Sequence, residues 1–398
     1  MSYDSLYKLF FKKQNEFNSI YENKFNSSST VKLDLMINNN IAFFSYDKEI
    51  ISYVSRIREL DIELSELIFD LPDYVVKYYK RSSLINEISS TNEIEGVIST
   101  KKEINDLIND LEKNVKVKSR FQGIVKKYLN LENDKIKLET SNDIRTLYNE
   151  LILDEIKEED INNLPDGKIF RKNIVHIISQ NSQIIHSGIS NEKKIIEYMD
   201  KALNILNNKE IDILIRIAVF HYLFGYIHPF YDGNGRINRF ISSYYLSKYM
   251  NNLIGYKLSE SIKENIKDYL DSFKHTNDVR NKGDISTFVY EFLKIIHSSY
   301  MKIVDSLLKI SFESSIYLEK IESFNLPTEE YSLLVVLINN TVYNKFGLSK
   351  FNIQNILKKG ATIITAILNK LEKKDLCKQI RSGRHIYYVA NLEKIKNM

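Results

Sequence analysis

The residues best suited to chemistry lie in one loop, His228-Pro229-Phe230-Tyr231-Asp232-Gly233-Asn234-Gly235-Arg236-Ile237-Asn238-Arg239. Glycine, and to a lesser degree asparagine, adopts at low cost the backbone conformations that point successive amides at one spot. Such a nest in front of a helix N-terminus binds phosphate. The sequence therefore predicts an anion site at Gly233, Asn234 and Gly235.

The side chains of the same loop also fit phosphate chemistry. Arg236 and Arg239 lie three residues apart, on one face of the following helix, where two guanidinium groups suit neighbouring phosphates. Asp232 supplies a hard oxygen ligand for Mg²⁺, and His228 can take a proton from an attacking hydroxyl near neutral pH. Each residue alone is more often structural, in a turn or on a solvated face. Together they indicate nucleotide or phosphate chemistry with a histidine base.

Several segments must position this loop. Apolar residues dominate 211–226 and 237–250, which predicts two central helices joined by the loop. The β-branched stretches before and after Ser179-Gln180-Asn181-Ser182 predict a hairpin over 173–188, the only clear one before the C-terminal segment. The first seventy residues are predicted to be helical, with polar breaks.

Helix signals are clear near residue 90. Helices are predicted at 72–80 and 83–94, the second ending at Gly96, because glycine suits the residue after a helix. Thr100 followed by Glu103 is a capping pattern that predicts the start of the next helix.

The composition excludes several classes of protein. The 398 residues include only four Pro and twelve Gly, which argues against a turn-rich β protein and favours two or three mainly helical domains. The single cysteine, Cys377, cannot form an internal disulfide or a Cys-rich zinc site, and indicates a reducing compartment. The N-terminus lacks a signal-peptide pattern, and the most apolar run, 211–230, carries charged residues and histidines. We therefore expect a cytoplasmic protein without a membrane span.

The C-terminal segment 326–398 is basic, with twelve Lys and Arg and five Asp and Glu, a net charge of +7 in a chain of net charge +4. Helices are predicted at 328–340, 349–358 and 362–374, followed by a hairpin of 378–381 and 385–389 that turns at Ser382-Gly383. This order is typical of a winged helix-turn-helix. The side chains that could contact DNA phosphates are Lys370, Lys373, Lys374, Arg381 and Arg384.

The loop 228–239 resembles the Fic-family motif His-Pro-Phe-x-Asp-Gly-Asn-Gly-Arg-x-x-Arg at all nine specified positions. The resemblance extends over roughly residues 70–300. Members of the Fic family carry a mostly α-helical domain that transfers a nucleoside monophosphate, usually AMP, to Tyr, Thr or Ser of a target protein. The resemblance therefore implies a mainly α fold, a Fic-type helical bundle with a β-hairpin flap, to which the winged helix-turn-helix segment is added.

The resemblance also implies roles for the loop. His228 resembles the general base, and Asp232 resembles the ligand of Mg²⁺ (or Mn²⁺). Asn234, with the backbone around Gly233 and Gly235, resembles the cradle of the α-phosphate.

Further roles follow from the same resemblance. Arg236 resembles the contact to the β-phosphate of ATP, and Arg239 the contact to the γ-phosphate. The hairpin at 173–188 resembles the flap that docks the target protein. Tyr269 and Asn281 resemble the wall on the adenine side, although the spacing between them is longer than usual in the family.

A second motif resembles an inhibitory sequence of the same family. Thr91-Asn92-Glu93-Ile94-Glu95-Gly96 is similar to the family's inhibitory pattern Ser/Thr-x-x-x-Glu-Gly. A carboxylate at Glu95 can pair with the Arg239 guanidinium and occupy the fork intended for the γ-phosphate. This resemblance implies control within the chain, and in some relatives the same glutamate supports removal of AMP.

The predicted organisation is an N-terminal helical region, a catalytic domain, a connecting helix and a winged helix-like domain. Their ranges are 1–100, with the inhibitory helix at about 84–95, then 101–300, 301–325 and 326–398. The predicted function is autoinhibited AMP transfer from ATP to a target protein, including the protein itself. The alternatives are a DNA-binding regulator, or a Fic enzyme that removes AMP or transfers another nucleotide or phosphocholine. Self-association as a homodimer is compatible with the resemblance.

Overall fold

A computed structural model of the protein describes residues 3–115, 118–178, 184–343, 347–382 and 385–397. Within these ranges the protein is mainly helical, as predicted, with three separate two-stranded antiparallel sheets. The strands are β1 Thr30–Ile37, β2 Asn40–Ser45, β3 His176–Ile178, β4 Ile184–Ser187, β5 Cys377–Ser382 and β6 His385–Ala390.

The helices carry the core, and short 3₁₀ turns join some of them at Ile161–Asn163, Asn252–Tyr256 and Val279–Asn281. They are α1 Leu6–Lys12, α2 Phe17–Phe25, α3 Lys48–Asp70, α4 Asp73–Ile94, α5 Lys101–Glu112, α6 Gln122–Leu129, α7 Ser141–Leu151, α8 Leu153–Glu159, α9 Glu192–Asn207, α10 Ile213–Ile227, α11 Asn234–Tyr249, α12 Leu258–Glu264, α13 Ile266–Thr276, α14 Ser286–Glu322, α15 Thr328–Tyr343, α16 Lys350–Leu357, α17 Ala361–Lys373 and α18 Leu392–Asn397.

The N-terminal region corrects one prediction, because it contains a hairpin, β1–β2, where only helices were expected. Its apolar side chains alternate: Leu33, Leu35 and Ile37 are buried, and the residues between them are exposed. That period of two is a strand pattern. Asn38 and Asn39 both have positive φ, 47° and 64°, which is the backbone that a two-residue hairpin turn needs. The predicted helix over this region, and the prediction of a single hairpin before the C-terminal segment, are therefore wrong.

Helix α4 corrects a second prediction. Two helices were expected, with a break before Ser83, but one helix runs without interruption from Asp73 to Ile94. It ends as predicted at Gly96, whose φ of 75° lies in the left-handed region. The next predicted start is also confirmed, since the Thr100 hydroxyl accepts a hydrogen bond from the Glu103 amide at 3.1 Å.

The two central helices were predicted correctly. Helix α10 is buried on almost every side, as expected for a helix with no polar face, and α11 follows it after a short loop. Asp212 caps the start of α10 through the Leu214 amide at 2.9 Å. The loop 228–233 therefore hangs between two buried helices that fix both of its ends.

The predicted hairpin before α9 is present as β3 and β4, which pair antiparallel. Its predicted turn, Ser179-Gln180-Asn181-Ser182, lies outside the described residues. The base of the hairpin is closed by the Gly188 amide, which donates to the Val175 carbonyl at 3.0 Å.

The chain separates into two compact units, Met1–Asp61 with Leu84–Tyr300, and Ile62–Ser83 with Met301–Met398. The second unit has a core of its own, centred on α15, α17 and β5–β6. Its helix-helix-helix-hairpin order follows the prediction, while the winged-helix assignment and the four predicted domain ranges stay predictions. Gly383 and Arg384 lie outside the described residues. None of the described helices is long and apolar enough to cross a membrane.

Candidate functional site

His228 follows the last residue of α10 and holds an unusual backbone. Its φ and ψ are 52° and 64°, in the left-handed region, while its amide still donates to the Phe224 carbonyl. That conformation is costly for a residue with a Cβ atom, and the following proline restricts it further. The neighbouring structure must hold it, and the Arg171 Nε does so by donating to the His228 carbonyl at 2.8 Å.

The imidazole of His228 is neutral at physiological pH. Burial lowers its pKa to about 4, and the nearby Arg171 guanidinium acts in the same direction. The Glu95 carboxylate opposes this shift, as does a hydrogen bond to the Gly225 backbone. A neutral imidazole that donates through one nitrogen has an acceptor on the other, so His228 has the form that a general base requires.

The loop closes on itself through Asn234. Its side chain accepts a hydrogen bond from the Phe230 amide at 2.9 Å and donates to the Phe230 carbonyl at 2.8 Å. One N–H and one oxygen lone pair of the carboxamide thereby shape the loop, and the place of Asn234 in the phosphate cradle stays a prediction. Gly233 has a φ of 83°, and a Cβ atom there would lie 2.0 Å from Ile152 Cδ1. The loop therefore needs a glycine at this position for both conformation and space.

The predicted phosphate cradle includes the first turn of α11, whose amides have no acceptors within the helix. Asp232 lies beside it with about a third of its side chain exposed, 35%. Its Oδ1 accepts from the Gly233 amide and lies 3.5 Å from Arg236 Nη2. Among the described residues, no group of three or more His, Cys, Asp or Glu side chains forms a metal cluster. A single accessible carboxylate fits a Mg²⁺ ion whose other ligands are phosphates and waters.

Arg236 is fully buried and forms an ion pair that sequence reasoning missed. Its Nη1 lies 2.6 Å from Glu155 Oε1, and neither side chain is exposed. Burial raises the pKa of Glu155, and the guanidinium opposes that shift. In the sequence, Glu155 is one of several acidic residues between 154 and 160. Nothing in the pattern separates it from its neighbours; only the fold does.

Arg239 is held by helix α4. Its Nε donates to the Thr91 hydroxyl at 2.8 Å, and its Nη2 donates to the Thr91 carbonyl at 3.0 Å. The same Nη2 donates to Glu95 Oε1 at 2.8 Å. Burial raises the pKa of Glu95, but the Arg239 charge and its hydrogen bond outweigh it, and the pKa is lowered. The structure thus places the two motifs, 91–96 and 228–239, in direct contact.

Gly235 explains how Glu95 reaches the loop. A Cβ atom at Gly235 would lie 2.0 Å from Glu95 Oε1 and 2.9 Å from Arg239 Nη1. The missing side chain leaves the space that the carboxylate fills above the first turn of α11. Gly96 acts differently, since a Cβ atom there would meet nothing within 4 Å. Its left-handed φ ends α4 immediately after Glu95.

Tyr269 lies beside Arg239, where the sequence analysis placed it in the nucleotide site. Its ring is buried, which raises the pKa of its hydroxyl, and the Arg239 charge opposes that shift; the hydroxyl lies 2.7 Å from His221 Nε2. His221 was not predicted as part of the site. It is fully buried, its Nδ1 lies 2.7 Å from the Ser242 hydroxyl, and burial lowers its pKa well below 6.5. His221 is therefore a neutral support for Tyr269.

Asn281 is not directed to the loop by its side chain. Its carboxamide donates to the Asp284 carbonyl at 2.6 Å and to the Thr276 carbonyl at 3.4 Å, and it accepts from the Tyr7 amide at 3.3 Å. These contacts hold the turn after α13 and dock α1 on it. The predicted adenine contact by Asn281 stays a prediction.

Comparison with known proteins places the loop in a recognised domain. Residues 139–246 match the model of the Fic/DOC family. Among solved structures, the chain is similar to a Fic family protein from Desulfovibrio desulfuricans, with a TM-score of 0.52 and 18% identity over 87% of this chain and 97% of that one. This likeness shows a shared fold.

Two further structures are similar over less of this chain. They are a fragment of Fic-1 from C. elegans, with a TM-score of 0.42 and 17% identity over 65% of this chain and 74% of that one, and a Fic domain containing signaling protein from Bacteroides thetaiotaomicron, with a TM-score of 0.42 and 18% identity over 64% of this chain and 94% of that one. No curated protein matches the chain. The match to the Fic/DOC family thus covers residues 139–246, and the likeness to the D. desulfuricans protein shows a shared fold.

Proposed function

We propose that the protein transfers AMP from ATP to a hydroxyl side chain of a target protein, and that Glu95 restrains this activity. Fic domain proteins are generally enzymes that transfer nucleotides or other groups. The observation that carries the proposal is the contact between Glu95 and Arg239 above the first turn of α11. A carboxylate held there by a guanidinium stands where a phosphate group of a nucleotide would bind.

The proposed chemistry starts with the neutral imidazole of His228. It takes the proton of a Tyr, Thr or Ser hydroxyl as the oxygen attacks the α-phosphorus of ATP. The new bond joins that oxygen to the α-phosphorus, the bond to the β-phosphate oxygen breaks, and pyrophosphate leaves. The amides of the first turn of α11 stabilise the charge on the α-phosphate oxygens. The β3–β4 hairpin would align the target segment through backbone hydrogen bonds.

A divalent cation, Mg²⁺ or Mn²⁺, would be held by Asp232. Bound there, it would neutralise charge on the phosphates of ATP and favour departure of pyrophosphate. Asp232 fits this task because its carboxylate is accessible and is fixed at Oδ1 by the loop amide.

The arginines favour a triphosphate donor. Arg236 and Arg239 lie one turn apart on α11, where they can contact successive phosphates. Removal of the Glu95 carboxylate frees one N–H of Arg239 Nη2, which still donates to the Thr91 carbonyl, and opens the space over Gly235 at the same time. Competition between this carboxylate and the terminal phosphate is the proposed basis of autoinhibition.

The experiment compares ATP labelled at the α-phosphate with ATP labelled at the γ-phosphate, in a cell lysate whose own kinases have been inactivated by heat. We expect the Glu95→Gly protein to label itself and target proteins from the α-position only. Adding His228→Ala should abolish labelling while ATP still binds, and His297→Ala, a histidine of α14 away from the loop, should leave it unchanged. Labelling from the γ-position, or full activity without His228, would contradict the proposal. Release of AMP from a labelled protein would identify the reverse reaction instead.

The predicted DNA contact of the C-terminal segment has less support from side chains. Lys374 Nζ lies 2.7 Å from Glu330 Oε2 and Lys370 Nζ lies 3.6 Å from Glu330 Oε1, so part of their charge is already compensated. Lys373 and Arg381 are exposed. A salt-sensitive mobility shift of duplex DNA by the whole protein would test this contact. A cytoplasmic location and self-association stay proposals.

A further inference from the structure

Arg171 is the most unusual cation among the described residues. Its guanidinium is fully buried, yet no carboxylate of the described residues pairs with it. All its partners are main-chain carbonyls. Its Nε donates to His228 at 2.8 Å, its Nη1 to Asn173 at 2.5 Å, and its Nη2 to Ile189 at 2.9 Å and Ile227 at 3.3 Å.

These carbonyls belong to two different parts of the site. Asn173 and Ile189 flank the β3–β4 hairpin, whereas Ile227 and His228 end α10. The planar fork of an arginine can bridge such a set, and a lysine ammonium cannot. The backbone adds a parallel link, because the Ile189 amide donates to the Ile227 carbonyl at 3.1 Å.

Gly188 makes room for this arrangement. A Cβ atom at Gly188 would lie 2.4 Å from Arg171 Nη2 and 3.1 Å from the His228 Cβ. The base of the hairpin, the guanidinium and the histidine are therefore packed with no spare volume between them.

We propose that Arg171 is a positioning residue, which fixes the left-handed backbone of His228 and couples it to the base of the β3–β4 hairpin. The His228 imidazole and the hairpin that docks the target hydroxyl then keep a fixed position relative to each other. This role in catalysis rests on the proposed AMP transfer, but the coupling itself does not.

The charge of Arg171 has a second consequence at His228. The imidazole is faced by Arg171 and His186, which disfavour its protonation, and by Glu95, which favours it; burial is the largest influence. Arginine stays charged at every accessible pH. Its loss should therefore raise the pKa of His228, whereas a lysine at this position, which keeps the charge, should leave the pKa low.

The test combines a titration with kinetics. NMR of the His228 ring is recorded against pH for the parent protein, Arg171→Met, Arg171→Lys and the control Arg145→Met. Arg145 donates to the carbonyl of Ile169, which lies near Arg171 in the sequence, at 2.8 Å. It makes no described contact with His228. We expect the His228 midpoint to rise in Arg171→Met, to stay low in Arg171→Lys, and to be unchanged in the control.

The kinetic arm uses the same variants in the Glu95→Gly background. We expect kcat for AMP transfer to fall at least tenfold in both Arg171 variants, with the KM for ATP within about threefold, because lysine keeps the charge but not the fork. An unmoved midpoint in Arg171→Met, or a kcat within threefold of the parent, would overturn the proposal.

A second variant covers the case in which Arg171→Met does not fold. Gly188→Ala keeps the arginine at position 171, but the added methyl group pushes its guanidinium away from His228. It should lower kcat and raise the His228 midpoint, and a normal result for both would overturn the coupling. If no AMP transfer exists in any variant, the titration still decides whether Arg171 controls His228, so the two proposals fail separately.

Discussion

The two arginines of α11 are only one turn apart, but they are held in opposite ways. Arg236 pairs with Glu155, and both side chains are fully buried. Arg239 pairs with Glu95, whose side chain is 25% exposed and which ends a helix outside the 139–246 segment. The first pair lies within the family segment, and neither of its side chains is exposed to solvent. The second is accessible at one edge. We infer that the Arg236 pair fixes the site and the Arg239 pair is the one a nucleotide can replace.

The largest effect should come from the buried pair. Glu155→Gln keeps the shape but removes the buried countercharge of Arg236 and leaves only the partly exposed Asp232 carboxylate at 3.5 Å, which should lower the free energy of unfolding by about 3–5 kcal/mol. AMP transfer should fall, not rise. Urea denaturation measures the first effect, and Glu158→Gln, an exposed neighbour on α8, is the matched control. An activated Glu155→Gln protein would contradict the division between the two arginines.

The next largest effect is expected at Glu87, on the same face of α4 as Thr91 and Glu95. Titration of its carboxylate should make the free energy of unfolding of the protein depend on pH. Its fully buried carboxylate accepts from the Ser259 amide and hydroxyl, and burial raises its pKa from 4.5 to about 7. A raised pKa means that the folded state binds the proton more tightly. Its contribution to stability is therefore full below pH 4.5 and is lost as the pH rises to about 7.

The comparison with Glu87→Gln isolates this titration. The wild-type protein should lose stability relative to the variant by on the order of 3 kcal/mol between pH 4.5 and 7, as measured by urea denaturation at each pH. Parallel curves would show that Glu87 does not titrate in this range. The result would separate an anchor of α4 at Glu87 from the exchangeable contact at Glu95.

Glu95→Gly should activate transfer without a comparable loss of stability. A charge-assisted hydrogen bond contributes about 1.5–3 kcal/mol. Without the Glu95 carboxylate competing with ATP for Arg239, the rate at limiting ATP should rise by about 10- to 100-fold. Glu93→Gly is the control, since it makes the same change on α4 where the carboxylate pairs with Lys263. Equal rates for wild type and Glu95→Gly would remove the autoinhibition proposal.

The smallest effect is expected at Thr91→Val. The substitution removes the hydroxyl that accepts from Arg239 Nε, but the Thr91 carbonyl and Glu95 still hold Nη2. One lost bond of about 0.5–1.5 kcal/mol should raise transfer about two- to tenfold. Activation greater than that of Glu95→Gly would show that Thr91, and not the carboxylate, is the main restraint.

The sequence predicted what depends on local pattern. The motif 228–239, the apolar runs of α10 and α11 and the glycine that ends α4 each carry a signal within a few residues. The hairpin β1–β2 also had one, in its alternating Leu33, Leu35 and Ile37, but it was overlooked between helical stretches. Glu155 and Arg171 carry none. Their importance comes from burial against residues distant in the chain, which no single segment encodes.

Asn234 and Asn281 show that a motif does not by itself give the contacts of a side chain. Both were assigned to nucleotide contacts from their positions in motifs. In the structure, the Asn234 carboxamide closes the loop on Phe230, and the Asn281 carboxamide holds the turn before Asp284. A motif records that a residue type is needed, and the hydrogen bonds add which backbone groups that side chain supports; the nucleotide contacts of both residues stay predictions.

The most direct test is a crystal structure of Glu95→Gly with Mg²⁺ and a non-hydrolysable ATP analogue, beside the wild-type protein under the same conditions. We predict that in the variant the Arg239 guanidinium contacts the γ-phosphate, with the α-phosphate on the first turn of α11 and the His228 imidazole facing it. Nucleotide bound elsewhere, or an empty loop at saturating analogue with Arg239 still on Thr91, would contradict the account.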